Sequence, residues 1–350
     1  MRRLGAVVVG QGVAGTLVSW RLRAAGVAHL VVDRGHGRAA SRAAAGIVNP
    51  VTGRRFALAW RIGEVVDGLA VYRELETALG MPLLHELEIL RDLSAPEALN
   101  QWDMRRADPA YAPYMRPPTT RGVHGLDAPW RLGPTAGFRV DLPALLAAFR
   151  QNLRGRGELV ERDVGIAYGD RGEVHDRSAR LRLRLAEGGW LLDGPGCAPR
   201  LAARVVDCRG AGSAGGPWAG LPWRGTKGEA LRFAAPGLPR DVAVKRRAFA
   251  CPVGGRGDVW LGATNDDRFD DAEPSPAGRR WLAEQAAGLG LSVPSDAEHL
   301  AAVRPTTRTR RPFVREHADL PGLWICGGLG TKGASLAPLC SRELAEAIAP

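Results

Sequence analysis

Apolar residues along this chain fall into short unbroken runs, helical stripes and alternating stretches. The first run, Ala6 to Val9, is β-branched and ends at Gly10, which predicts a strand buried on both faces. A helical segment follows from about Val13 to Ala25 and stops at Gly26. A second run, about His29 to Val32, predicts another strand and delivers Asp33 at its end. Later stripes predict an amphipathic helix over about 62–79 and a partly alternating strand over 83–93. Residues 94–136, rich in proline and turns, predict loops and short helices. Leu142, Leu145, Leu146 and Phe149 mark one face of a helix that leads into a strand. RLRLRLAEGGWLL (180–192) alternates cleanly and predicts a half-exposed hairpin.

The rest of the chain repeats these themes. ARVVDCRGAGS (203–213) predicts a strand running into a turn of small residues. Antiparallel strands are expected around 228–234, 242–253 and 258–264, and a helix over 276–290. Residues 322–348 predict a strand, a glycine loop and a closing helix. Nucleotide-type elements thus occupy the start, the middle and the end, with strand-rich insertions in the gaps.

The first turn carries chemistry. Gly10 permits the tight exit from the strand, Gly12 lets the backbone approach a pyrophosphate, and Gly15 lets the helix pack on the sheet. The helix N-terminus offers amide hydrogens and partial positive charge to phosphates. Asp33 can accept hydrogen bonds from ribose hydroxyls. Strand, glycine turn, helix and acid in this order point to a dinucleotide.

Composition narrows the class. The chain has 350 residues, 45% of them hydrophobic, enough for one large or two intertwined domains. No apolar run reaches the roughly 18 residues of a membrane span. Met1-Arg2-Arg3 before an apolar run has the form of a signal peptide, but that run becomes the nucleotide turn, so a cytoplasmic location is expected. Cys197, Cys208, Cys251, Cys326 and Cys340 are odd in number and lack CxxC spacing, and the histidines show no metal-ligand spacing, so no metal site is expected. The net charge of +11 invites a nucleic-acid reading. That excess is almost all arginine, with lysine only at 227, 245 and 332, and no nucleic-acid motif accompanies it. A small molecule is the expected partner, with nucleic acid set aside and no membrane association.

Taken together, the ordered motifs resemble the FAD-dependent D-amino-acid oxidase and glycine oxidase superfamily across nearly the whole chain. The matching pieces are Gly10-x-Gly12-x-x-Gly15 with Asp33, Ser41 through Gly46-Ile47, GFRVD with its helix and Val164, and VVDCRGAGS. They continue with WLGAT (260–264), VRP (303–305) and GGLGTKGASLAP (327–338). The last piece is also similar to the oxidase half of the bifunctional tRNA wobble-uridine modification enzyme. The resemblance implies an α/β fold. A Rossmann-like FAD-binding domain of glutathione-reductase type is expected over 1–80, 137–215 and 305–350, with a split, mostly antiparallel substrate domain over 81–136 and 216–304.

The same resemblance implies FAD, held without a covalent bond. Its cofactor-binding residues would be Gly10, Gly12, Val13, Ala14, Gly15, Asp33 and Arg34 at the first turn, and Ser41, Ala45, Gly46 and Ile47 beside pyrophosphate and flavin. Val164 would meet the adenine. Cys208 and Gly210 would lie at the middle turn, and Gly328, Leu329, Gly330, Thr331, Lys332 and Gly333 would hold the flavin ring. The expected activity is oxidation of a C–N bond in an amine or amino acid by hydride transfer to flavin N5, with oxygen the expected final acceptor. A flavoenzyme acting on a modified nucleoside or tRNA, an NAD-dependent dehydrogenase and a catalytically silent flavin-binding protein are the alternatives.

Two residues are the catalytic candidates. The resemblance places a carboxylate-binding arginine at Arg304, whose guanidinium can hold a carboxylate with two parallel bonds. Arg308, Arg310, Arg311 and Arg315 follow it, either widening the site for a multiply anionic substrate or forming a solvated basic loop. Lys332, at the start of the last helix, can stabilise negative charge on reduced flavin together with backbone amides. Lys227 and Lys245, on strands of the substrate domain, are weaker candidates for oxygen chemistry. Thr52, Arg54 and Arg55 are candidate pocket residues. Trp60, Trp130, Trp218 and Trp223 are candidates for pocket walls or, by default, for packing.

Overall fold

A computed structural model of the chain describes residues 3–35, 37, 39–126, 131–168, 173–174, 180–255 and 257–348. Trp130 lies outside them. The chain divides into two compact units, one of 1–42, 142–226 and 303–350 and the other of 43–141 and 227–302.

The first unit is built on a parallel sheet. Its central strands run in the order Leu323–Gly327, Cys197–Asp207, Arg3–Val9, His29–Val32 and Leu159–Val160, each parallel to its neighbour. Val7, Val8, Val31 and Val32 have at most trace exposure, as strands covered on both faces require. The first part of Cys197–Asp207 continues antiparallel into the hairpin Leu181–Ala186 and Gly189–Gly194, which alternates buried and exposed positions along its first strand. The helix Val13–Ala24 ends one residue before the expected Ala25, and Gly26 takes the left-handed backbone with φ 69°. The helix Leu142–Gly155 buries Leu142, Leu145, Leu146, Phe149 and Leu153 in one stripe, and Arg150 lies buried on that same stripe. Trp218 and Trp223 pack into this unit's core, with Trp223 edge-on to Phe313 at 5.0 Å.

The second unit holds a sheet in the order Ile47–Val48, Leu132–Val140, Leu84–Asp92, Val242–Lys245, Phe249–Val253, Asp258–Gly262, Trp223–Ala234 and Glu298–Thr307. The last two strands carry the chain over the boundaries between the units. Leu84–Asp92 runs parallel to Val242–Lys245, and the pairs on either side of these two strands are antiparallel. The helix Pro276–Ala287, capped by Ser275, covers one face through Leu282 and Ala286.

These units divide the chain at other points than the sequence ranges 1–80, 137–215 and 305–350. Ile47–Val48 pairs with Leu132–Val140, so 43–80 and 137–141 pack with the second unit. The amphipathic stretch 62–79 is two helices, Ile62–Gly68 and Ala70–Leu79. The run 242–253 is two strands rather than one. No helix among the described residues is long and apolar enough to cross a membrane.

Candidate functional site

The first glycine turn is shaped by close contacts in the first unit. Gly10 has φ 97°, and a Cβ there would stand 2.8 Å from the Cys208 carbonyl oxygen. A Cβ on Gly15 would stand 1.9 Å from the Gly10 carbonyl oxygen, so the helix can approach the turn only with glycine. At Gly12 the nearest described atom to such a Cβ is Ser41 Oγ, at 3.5 Å. A Cβ at Gly12 would therefore make only an ordinary contact among the described residues. Gly12 is also the N-cap of the helix and supplies no side-chain cap, and the first helical turn has no acid. Ser41 Oγ accepts from Val13 N at 3.1 Å. This cradle suits a pyrophosphate, with Val13, Ala14 and Gly15 opening the helix.

Asp33 closes the second strand beside the turn. Its Oδ2 accepts from Gln11 N at 2.8 Å, and its Oδ1 from Gly35 N and Arg150 Nη1, each at 2.8 Å. Arg150 also donates to Gln11 Oε1 at 2.9 Å and to Glu161 at 3.2 Å. Hydrogen bonds from Arg154, and further help from Arg150 against a small desolvation, pull the Glu161 carboxyl down to about 2. Asp33 N donates to the Val160 carbonyl, and Arg34 pairs loosely with Asp163 at 3.7 Å. The segment leading to buried Val164 thereby lies alongside Asp33 and Arg34.

The middle turn abuts the first. Cys208 N donates to the Val9 carbonyl, and Gly210 takes φ 63°. Asp207 beneath it is fully buried; burial pushes its carboxyl up, but Arg209 and Ser213 outweigh this and hold it below the ordinary range.

The C-terminal loop completes the group. Gly328 has φ 74°, with Thr307 Cγ2 2.9 Å from where a Cβ would stand. Leu329 is buried, Thr331 exposed, and Gly330–Lys332 forms one 3-10 turn before the helix Gly333–Ile348. A Cβ on Gly333 would lie 3.3 Å from Val13 Cγ1, so two helix N-termini meet here. Burial, then Arg311 and Arg310, draw the Lys332 ammonium below its usual pKa.

Arg304 directly precedes two residues that meet these turns. Pro305 Cγ is 3.8 Å from a Cβ built on Gly210, and Thr306 Cα is 3.7 Å from one built on Gly330. The RP segment thus runs between the middle and C-terminal glycine turns. Burial lowers the Arg304 pKa. Arg308, Arg310 and Arg311 are exposed.

Ala45, Gly46 and Ile47 belong to the second unit. Gly46 has φ 74°, and a Cβ there would stand 1.9 Å from the Val140 carbonyl oxygen, so its glycine is required by strand packing. Lys227 is buried against Asp271 at 3.2 Å and Glu229 at 3.7 Å. Thr52 is half-buried, Arg54 and Arg55 are exposed, and Trp60 lies under the Arg61 guanidinium at 5.3 Å. No motif in the sequence singles out Arg150 or Gln11. The available signal was a charged residue on the apolar stripe of the helix Leu142–Gly155.

The chain is similar to known proteins along nearly its whole length. The family described as FAD dependent oxidoreductase matches residues 6–347. A glycine oxidase of Pseudomonas aeruginosa is 28% identical over 97% of this chain and 93% of its own length. The tRNA 5-methylaminomethyl-2-thiouridine biosynthesis bifunctional protein of a Caulobacter species is 29% identical over 99% of this chain, which spans 54% of that relative. Among solved structures, glycine oxidase from Geobacillus kaustophilus superposes with a TM-score of 0.76 at 21% identity, covering 99% of this chain and 95% of the other. The glycine cradle can hold the pyrophosphate of FAD, and the chain belongs to the FAD dependent oxidoreductase family.

Proposed function

We propose that this enzyme oxidises the C–N bond of a small amine bearing a carboxylate, such as an amino acid. The observation that carries this reading is the position of Arg304. It is a half-buried arginine in the segment that runs between the two glycine turns bordering the cofactor cradle. Bound FAD supplies a hydride acceptor at N5. The chain supplies positioning: the Arg304 guanidinium holds the substrate carboxylate and fixes the α-carbon. Departure of hydride needs the amine lone pair, so the substrate reacts as the neutral amine, and the resulting imine is hydrolysed by water. Lys332 and the amides of 328–333 stabilise negative charge near the flavin's pyrimidine edge. Gly10, Gly12, Val13, Ala14, Gly15 and Ser41 hold the pyrophosphate, Asp33 the ribose, and Val164 borders the adenine. Oxygen is the proposed final electron acceptor.

The near-full-length likeness to a glycine oxidase supports this reading. The test is product stoichiometry. An amino-acid substrate should give one ammonia and one oxo acid per oxygen consumed, with hydrogen peroxide formed. Ammonia without oxygen uptake would remove oxygen as acceptor, and release of neither ammonia nor an amine from any carboxylated amine would remove the reading itself. The likeness to the tRNA enzyme and the +11 charge favour, as a second reading, an aminoalkyl-modified nucleoside as substrate. Salt-sensitive RNA binding would support it.

A further inference from the structure

The sheet of the second unit has two unlike faces. Leu90 and Val244 belong to the apolar cluster under the helix Pro276–Ala287, while Ile89 and Ala243 belong to the cluster on the opposite face. Side chains alternate along a strand, so Arg91 and Lys245 stand on the Ile89 and Ala243 face. Arg91 and Lys245 are direct register partners on parallel strands, and Lys245 pairs in turn with Phe249 on the next strand. The row reads guanidinium, ammonium, phenyl ring.

Both cations are partly withdrawn from water. Arg91 is 8% exposed, and Lys245 is half-buried. The Arg91 guanidinium lies 4.9 Å from the Phe56 ring centroid and donates to the carbonyls of Val51 at 3.1 Å and Gly53 at 2.9 Å. Lys245 Nζ lies 4.8 Å from the Phe249 ring centroid and donates to the Arg247 carbonyl. Among the described residues neither cation has a carboxylate within 4.0 Å. Rings and carbonyls supply partial negative charge only. Burial, reinforced by Arg91, pushes the Lys245 ammonium down to about 8, as expected of a cation without a counter-ion. Each cation keeps N–H donors beyond those used.

We propose that Arg91 and Lys245 form an anion site that takes the carboxylate of a small molecule. A planar carboxylate matches two donors held side by side in register and flanked by phenyl rings. The site lies wholly in the second unit and does not depend on the oxidation reading. Its carboxylate belongs either to a substrate's distal group or to a separate ligand.

The test is calorimetric titration of the FAD-loaded protein with succinate. Arg91 also holds the turn at Val51–Gly53, so the variant of choice is Lys245→Gln, with Lys245→Arg as the charge-keeping control. Wild type and Lys245→Arg should bind succinate, and Lys245→Gln should bind it about tenfold more weakly. Wild-type affinity should also fall as pH rises through about 8, where the ammonium deprotonates. Competition with an amine substrate would identify the carboxylate as the substrate's own, and independent binding would identify a separate ligand. No succinate binding to wild type, or equal binding to Lys245→Gln, overturns the proposal.

Discussion

Arg150 and Asp33 lie 117 residues apart in sequence and 2.8 Å apart in space. Their side chains are 6% and 10% exposed, and the same guanidinium reaches Gln11 in the glycine turn. One buried cation therefore fixes both the acid proposed to meet the ribose and the turn proposed to meet the pyrophosphate. Breaking a buried pair leaves a charge uncompensated. Arg150→Met should lower stability by about 3 kcal/mol and raise the FAD dissociation constant by about tenfold. Flavin fluorescence on dilution and thermal unfolding of the apoprotein read the two effects separately. Wild-type FAD affinity in a destabilised Arg150→Met protein would make Arg150 purely structural.

The glycines of the turn should separate binding from folding. A Cβ at Gly12 makes only an ordinary contact among the described residues, so Gly12→Val should fold and fail to retain FAD. Gly15 is pressed against the Gly10 carbonyl, so Gly15→Ala should lose stability first. Circular dichroism and flavin content of the two purified variants give the comparison. A Gly12→Val protein with a full complement of flavin would contradict the cradle assignment.

The turn, both early strands and the hairpin at 181–194 were legible because local pattern decides them. Ala6 to Val9 is short, β-branched and closed by Gly10, which reads as a buried strand. The Arg150–Asp33 and Arg91–Lys245 pairs were not legible. Each depends on which distant strands or helices become neighbours, and a period of 2 or 3.6 carries no such information. The boundary at 42/43 was hidden for the same reason, since Ile47–Val48 reads as a loop until its partner Leu132–Val140 is known. Lys245, a candidate for oxygen chemistry by its sequence position alone, is a register partner of Arg91.

Lys245 also predicts a pH dependence. Its folded pKa, about 8, lies below the ordinary 10.5. Between those values the unfolded chain holds a proton that the folded chain has released, so this group makes stability rise with pH across that window. Below about pH 8 its full penalty is present. The melting temperature of Lys245→Met relative to wild type should therefore be most favourable near pH 7 and decline toward pH 10. Differential scanning calorimetry in carboxylate-free buffer measures it. A constant difference across the range would mean that Lys245 titrates normally.

Lys332 should act on the cofactor's potential. With the ammonium near the pyrimidine edge, Lys332→Met should lower the two-electron potential by about 30 mV for each roughly 1.4 kcal/mol of lost stabilisation. Dye-coupled potentiometry reads the shift, and sulfite affinity should fall in parallel. Wild-type values for both would leave that role to the backbone amides of 328–333.

Arg304 as carboxylate anchor is the claim on which the function rests. The most direct measurement is anaerobic reduction of the bound flavin by matched pairs of substrates, each an amino acid and the amine lacking its carboxylate, in wild type and Arg304→Lys. Wild type should be reduced faster by the carboxylated member. Arg304→Lys should lose about 1.5–3 kcal/mol of that preference while keeping its fold and its flavin. Equal reduction by both members, or an unchanged preference in Arg304→Lys, would contradict the account.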